Sequence, residues 1–196
     1  MLAHVLERAA AIKGVDQVVL AVPQADRFMV SHLWKDVYGG PEKDVLGRYA
    51  EAAEQYEADV IVRLTGDCPM LATDVASDAL LVFCTGETDG YMAVCQPYTP
   101  VADGWDVEIF GRRDLVNANR YAKSSQREHV TTWMRAARED AKVLCFPEWH
   151  DWTALKCSVD TREDLQRVEQ IMNQLDDPTD FSHTATWNAW EKAGRL

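Results

Sequence analysis

The sequence predicts a single α/β domain, residues 1–196, with a largely parallel sheet and helices on both faces. Three observations lead there. Apolar runs that stop at turn residues alternate with segments of helical apolar spacing along the chain. Acidic residues follow directly on two of the apolar runs, where open α/β sheets bind ligands. The 196 residues are 47% hydrophobic and 27% charged and include seven tryptophans, enough for one sizeable core.

Leu2, Val5, Leu6, Ala9, Ala10 and Ile12 recur at helical spacing, so 2–13 reads as an amphipathic helix. The run DQVVLAVP (16–23), closed by proline, reads as a buried strand. A helix over 44–58 places Val45, Tyr49, Ala52, Ala53 and Tyr56 on one side. A second buried strand, DVIVRL (59–64), feeds the turn TGDCP. A helix is expected over 73–84, with strands at 90–95 and 105–110 and a proline-containing loop between them. Helices are expected at 112–122 and 125–139, and short strands at 142–146 and 155–159. The last helices are expected at 162–175 and near 184–193. The chain opens on a helix, where α/β proteins usually have a strand first.

The net charge of −12 repels nucleic-acid backbones, so no nucleic-acid partner is expected. A phosphate-bearing substrate would need a divalent cation or a local basic patch. Cys68, Cys84, Cys95, Cys145 and Cys157 are odd in number and contain no CxxC pair, which argues against zinc and disulfides and for a reducing cytoplasm. No apolar run reaches membrane-spanning length, and no signal-peptide pattern is visible, so no membrane partner is expected.

Asp67 in VRLTGDCPML (62–71) sits where a strand delivers a carboxylate into a turn. Gly, Asp and Pro are turn formers, and Asp67 is either one of these or a metal anchor. Asp160, in SVDTREDLQRV (158–168), ends a strand where a helix begins. Thr161 can cap that helix with Asp164, or Asp160 can cap it with Glu163. If Thr161 caps, Asp160 is free for a metal. Asp106 and Glu108 are two apart on a strand and so share a face. Arg48, Arg63, Arg127 and His129 are the basic candidates, each also explained by solvated helix faces or structural roles. No GxSxG elbow, cysteine–histidine nucleophile or glycine-rich phosphate loop is present.

DVLGRYAEAA, ADVIVRLTGDCPML, DGWDVEIF, REHVTTWM and SVDTREDLQRV, in that order, resemble the cytidylyltransferase family of spore-coat polysaccharide biosynthesis protein F, related to the synthetases that activate sialic acid and Kdo. The resemblance implies a Rossmann-like, glycosyltransferase-A-like nucleotidyltransferase domain, a three-layer α/β/α sandwich. It implies transfer of CMP from CTP to a sugar or sugar acid, with release of pyrophosphate, for surface polysaccharide biosynthesis. Asp67 and Asp160 then match the magnesium-binding catalytic aspartates, and Arg48 matches an arginine near the base. Arg63, Thr65 and Gly66 fall in the substrate-binding motif, and Asp106, Glu108, Arg127, Glu128 and His129 line the sugar side. A homodimer is compatible with the family.

Family members begin with a strand and a basic phosphate loop of the pattern R-x-x-S-x-R-L-P-G-K, which this sequence does not match. The resemblance therefore implies a sheet without its first strand, impaired activity and lower stability, or compensation by a partner chain. Neighbouring strands would expose unpaired backbone groups and apolar faces. Two alternatives stay open: a non-catalytic binding or assembly module with the same fold, and a metal-dependent nucleotide-sugar glycosyltransferase.

Overall fold

Short-range signals set the helix starts. In the computed structural model, which describes residues 1–86, 90–97, 99–137, 142–143 and 151–196, the Asp44 side chain accepts from the Gly47 amide and starts α3 (Val45–Gln55). Ser182 caps α8 (His183–Lys192) through the Ala185 amide. At α7 (Arg162–Met172), the Thr161 hydroxyl accepts from the Asp164 amide while the Asp164 carboxylate accepts from the Thr161 amide, a reciprocal capping box. Of the two caps open to the sequence, the chain uses Thr161, and Asp160 stands outside the helix. The other helices are α1 (Leu2–Ala11), α2 (Arg27–Val30), α4 (Thr73–Thr85), α5 (Arg112–Tyr121) and α6 (Thr132–Ala137).

Strands β1 (Leu20–Pro23) and β2 (Val37–Gly40) pair in parallel. Strands β3 (Val60–Arg63), β4 (Tyr91–Val94), β5 (Val107–Gly111) and β6 (Lys142–Val143) form a second sheet in the order β3-β5-β4-β6. Here β5 is antiparallel to both neighbours, and β4 and β6 are parallel. The sheet is therefore mixed, where a largely parallel one was expected. Strand direction is set by long-range pairing, which apolar spacing does not carry.

Alternation along β4 and β5 gives the three layers. Met92, Val94, Val107 and Ile109 pack with α4, α7 and α8 in one apolar cluster. Tyr91, Ala93 and Phe110 pack with α3, α5 and α6 in the other. The α/β/α sandwich expected from the sequence is thus present. Arg8 is buried on α1, donates to the Leu71 carbonyl at 2.9 Å and lies 4.5 Å from the Phe181 ring centre. Desolvation lowers its pKa to about 10.

Three segments differ from expectation. Residues 155–159 form no strand; one bridge, Asp103 to Lys156, replaces it. The helix expected over 125–139 is split into a 3₁₀ turn (Ser124–Gln126) and α6. Strand β2 was not anticipated, because its VYGG sequence carries two glycines, which strands disfavour. The expected strand at 142–146 is described only at Lys142–Val143, the rest lying outside the described residues.

Strands β1 and β3 do not pair with each other. Between them lies a slot of about 640 Å³ lined by α1 and α3. The strands beside it are only half-buried, whereas Tyr91–Val94 of β4 are fully buried.

Removing the α7 cap tests the local reading. Thr161→Ala is expected to cost about 1 kcal/mol of stability, read as a lower urea midpoint at unchanged slope.

Candidate functional site

The carboxyl end of β3 leads through Leu64 into Thr65–Pro69. Antiparallel pairing sets Arg63 opposite Glu108 and Val94 opposite Val107. Extended two residues beyond Arg63–Glu108 and one beyond Val94–Val107, the same register brings Asp106 to the edge between Thr65 and Cys95. Residues 157–160 lie against both segments. The Val159 amide donates to the Asp67 carbonyl at 2.9 Å. Gly104, at φ +99°, packs so closely on this segment that a Cβ there would sit 2.6 Å from the Ser158 nitrogen. Only glycine suits that close approach. Three sequence-distant carboxylates, Asp67, Asp106 and Asp160, thereby come to one sheet edge.

Their surroundings differ. Asp67 is half-buried, and its carboxylate accepts from the Cys68 thiol at 3.5 Å, which leaves its oxygens acceptor capacity. Asp106 accepts from the Gly104 amide at 3.1 Å. Burial pushes the pKa of Asp106 up, and Asp103 and Glu108 add to the rise, while backbone hydrogen bonds oppose it. Asp160 is exposed and held 3.0 Å from the Lys156 ammonium, which also meets Asp164 at 3.1 Å. Asp103, Lys156 and Asp164 were not singled out in the sequence. Lys156 and Asp160 are four apart, a spacing that reads as an ordinary surface pair. Cys68, Cys84, Cys95 and Cys157 are free thiols. Burial pushes the Cys95 thiol to about 11 and Cys157 to about 12, so neither is a ready nucleophile.

The other candidates separate into two groups. Glu108 is buried inside a network: it accepts from Arg63, Tyr91, Thr131 and Arg135. Burial alone would raise its pKa, but Arg63 and these hydrogen bonds outweigh burial and hold it below the usual carboxylate range. Arg127 makes two bonds to Asp44, at 2.9 and 2.8 Å, and also donates to the Asn119 carbonyl and side chain, so it fastens the start of α3. Arg48 donates to the Pro41 carbonyl at 2.8 Å, pinning the loop after β2, while its buried Nε has no hydrogen-bond partner among the described residues. The Thr65 hydroxyl meets the Cys68 thiol at 3.2 Å. Gly66, Glu128 and His129 are exposed.

Among the described residues no three His, Cys, Asp or Glu side chains converge to hold a metal unaided. Magnesium needs less, one or two carboxylates completed by water and substrate phosphates. Asp67 and Asp160 fit that donor chemistry: Asp67 is half-buried with acceptor capacity to spare, and Asp160 is exposed on the segment that the Val159 amide ties to Asp67.

No family model matches the chain. It is 28% identical over 179 residues to an uncharacterised protein of Methanocaldococcus jannaschii, covering 87% of this chain and 72% of that one. It is 24% identical over the same length and shares to spore coat polysaccharide biosynthesis protein SpsF of Bacillus subtilis. A cytidylyltransferase structure from Leptospira borgpetersenii superposes with a TM-score of 0.87 at 25% identity, covering 98% of this chain and 83% of that one. CMP:2-keto-3-deoxy-manno-octonic acid synthetase complexed with CTP superposes at 0.66, with 17% identity and 88% and 87% coverage, which speaks to fold alone. The chain is thus a relative of protein SpsF with the cytidylyltransferase fold, as its motifs implied.

The Glu108 network has a pH signature. A carboxylate whose folded pKa is depressed adds stability above its unfolded pKa of about 4.3, and this is lost as pH falls through the folded value. Urea midpoints should therefore fall on acidification below about pH 4.3. In Glu108→Gln the midpoint should start lower and lose this part of the pH dependence.

Proposed function

We propose that the chain transfers a cytidylyl group from CTP to an oxygen of a sugar or sugar acid, for surface polysaccharide biosynthesis. The convergence of Asp67, Asp106 and Asp160 on one sheet edge, in a fold shared with a cytidylyltransferase, is the observation that supports it. The nucleotide and the sugar class come from the proteins it resembles, a CTP-bound CMP:2-keto-3-deoxy-manno-octonic acid synthetase and a spore coat polysaccharide biosynthesis protein.

The reaction balances simply. The acceptor oxygen bonds to the α-phosphorus, the bond to the bridging oxygen breaks, and pyrophosphate leaves with that electron pair. The hydroxyl proton goes to water or to a carboxylate. Asp106, with its raised pKa, is the better proton acceptor of the three. Lys156, beside Asp160, supplies positive charge close to the incoming triphosphate. Asp67 and Asp160 would hold magnesium, which supplies charge neutralisation on the phosphates and lowers the pKa of the attacking hydroxyl. Glu108 and Arg127 act at one remove by fixing β5 and α3.

The slot beside β3 favours one second reading, a binding module that retains the fold. Magnesium-dependent CTP binding without pyrophosphate release would support it.

Asp67→Asn tests the proposal. CTP-dependent pyrophosphate release with sugar acids should fall on the order of a hundredfold, and magnesium should no longer tighten CTP binding in calorimetry. The thermal midpoint should be unchanged. Unaltered turnover in the variant would remove Asp67 from the site.

A further inference from the structure

One ammonium, that of Lys156, serves two carboxylates of different kinds. Its Nζ lies 3.0 Å from Asp160 Oδ2 and 3.1 Å from Asp164 Oδ2. The Asp164 side chain is 5% exposed and fully engaged. Its Oδ2 also accepts from the Asp160 and Thr161 amides and the Thr161 hydroxyl, and its Oδ1 accepts from Arg167 at 2.7 Å. The Asp160 side chain is 62% exposed, and Lys156 is its one side-chain partner among the described residues.

The backbone of Lys156 is held as well. The Asp103 amide donates to the Leu155 carbonyl at 3.1 Å, and the Cys157 amide donates to the Asp103 carbonyl at 2.6 Å. These two bonds clamp the chain on either side of Lys156 to the loop that carries Gly104 and Asp106. The ammonium therefore has one permanent anchor, Asp164, and one exchangeable contact, Asp160. An exposed ion pair of the second kind is weak, so a divalent cation competes for Asp160 with success.

We propose that Lys156 is a placeholder for the divalent cation at Asp160 and becomes a phosphate ligand when displaced. This rests on the reading of Asp160 as a metal carboxylate. Without a cation there, the ammonium balances Asp160. When Asp160 ligates a cation, Lys156 keeps Asp164 and gives up Asp160. An ammonium has three donors and no acceptor, so the freed N–H needs another oxygen. The phosphate oxygens of a nucleotide arriving with the metal supply one, in a charge-assisted bond. Metal and nucleotide are thereby coupled. The metal alone must displace Lys156, whereas metal with phosphate offsets the lost contact.

The test titrates manganese, an oxygen-ligated divalent ion like magnesium, into the purified chain. Electron paramagnetic resonance follows the free ion, and calorimetry follows CTP. Lys156→Met keeps the aliphatic stem and removes the ammonium. Manganese alone should bind it about threefold more tightly than the wild type. CTP in the presence of manganese should bind it about tenfold more weakly. These shifts have opposite signs, which loss of a merely structural contact would not produce. Arg162→Gln removes the same charge from an exposed side chain beside Asp160, and both affinities should stay within about twofold of wild type. Manganese bound no more tightly by Lys156→Met, or CTP bound equally well, would overturn the proposal. So would the same pair of shifts in Arg162→Gln, which would reduce the effect to net charge. Asp67→Asn separates the placeholder role from the reading beneath it. If that variant loses manganese while Lys156→Met binds it as the wild type does, the placeholder role alone fails. If Asp67→Asn and Asp160→Asn both keep wild-type manganese affinity, or the wild type binds none, the metal reading fails and the placeholder role with it.

Discussion

A carboxylate buried in the middle of a sheet must be met by donors, and Glu108 is met from several directions. Arg63 reaches it from β3, Tyr91 from β4, and Thr131 and Arg135 from the region of α6. Stripping a carboxylate of water costs several kcal/mol, so a register that left Glu108 without these partners would be strongly disfavoured. A slip of one residue would swing Glu108 to the opposite face, among Met92, Val94 and Ile109. The network therefore locks three strands in register, and Asp106, two residues earlier, arrives at the edge as a consequence. The position of the acidic edge thus hangs on a charge two residues away from Asp106.

What was legible in the sequence is local. The Asp44 and Thr161 caps, the strand running into Asp67 and the layered α/β order follow from neighbours a few residues away. What was not legible depends on distant pairing. Glu108 looked like half of a sugar-side pair with Asp106, because its four donors lie 17 to 45 residues away. The bond of Arg127 to Asp44 spans 83 residues and was equally out of reach of local pattern. Arg8 passed unnoticed, since an arginine on an amphipathic helix is usually solvated; here Phe181 covers it. The antiparallel run of β5 escaped for the same reason, and residues 155–159 have strand composition but pack as an irregular segment against the Asp103 loop.

Strand β3 carries carboxylates at both ends, and the two ends serve different ends of the molecule. At its start, Glu57 and Asp59 are exposed, with Arg112 beside Asp59. At its finish, Asp67 joins an edge at which burial raises the pKa of Asp106 and Asp160 is held by Lys156. In a chain of net charge −12, the carboxylates at the finish of β3 are the ones that the proposed magnesium would answer.

The contact between Phe181 and Arg8 bears on how the chain is made. The Thr73 amide donates to the Phe181 carbonyl, and the His183 amide to the Asp74 side chain, so the segment ahead of α8 closes over both α1 and the start of α4. Synthesis delivers α1 well before this segment, at about 5–20 residues per second. Throughout that interval Arg8 lacks its aromatic cover and the α4 start lacks its partner. A nascent chain stalled before Phe181 consequently leaves both uncovered, and the segment from Phe181 to His183 acts as the clasp between α1 and α4.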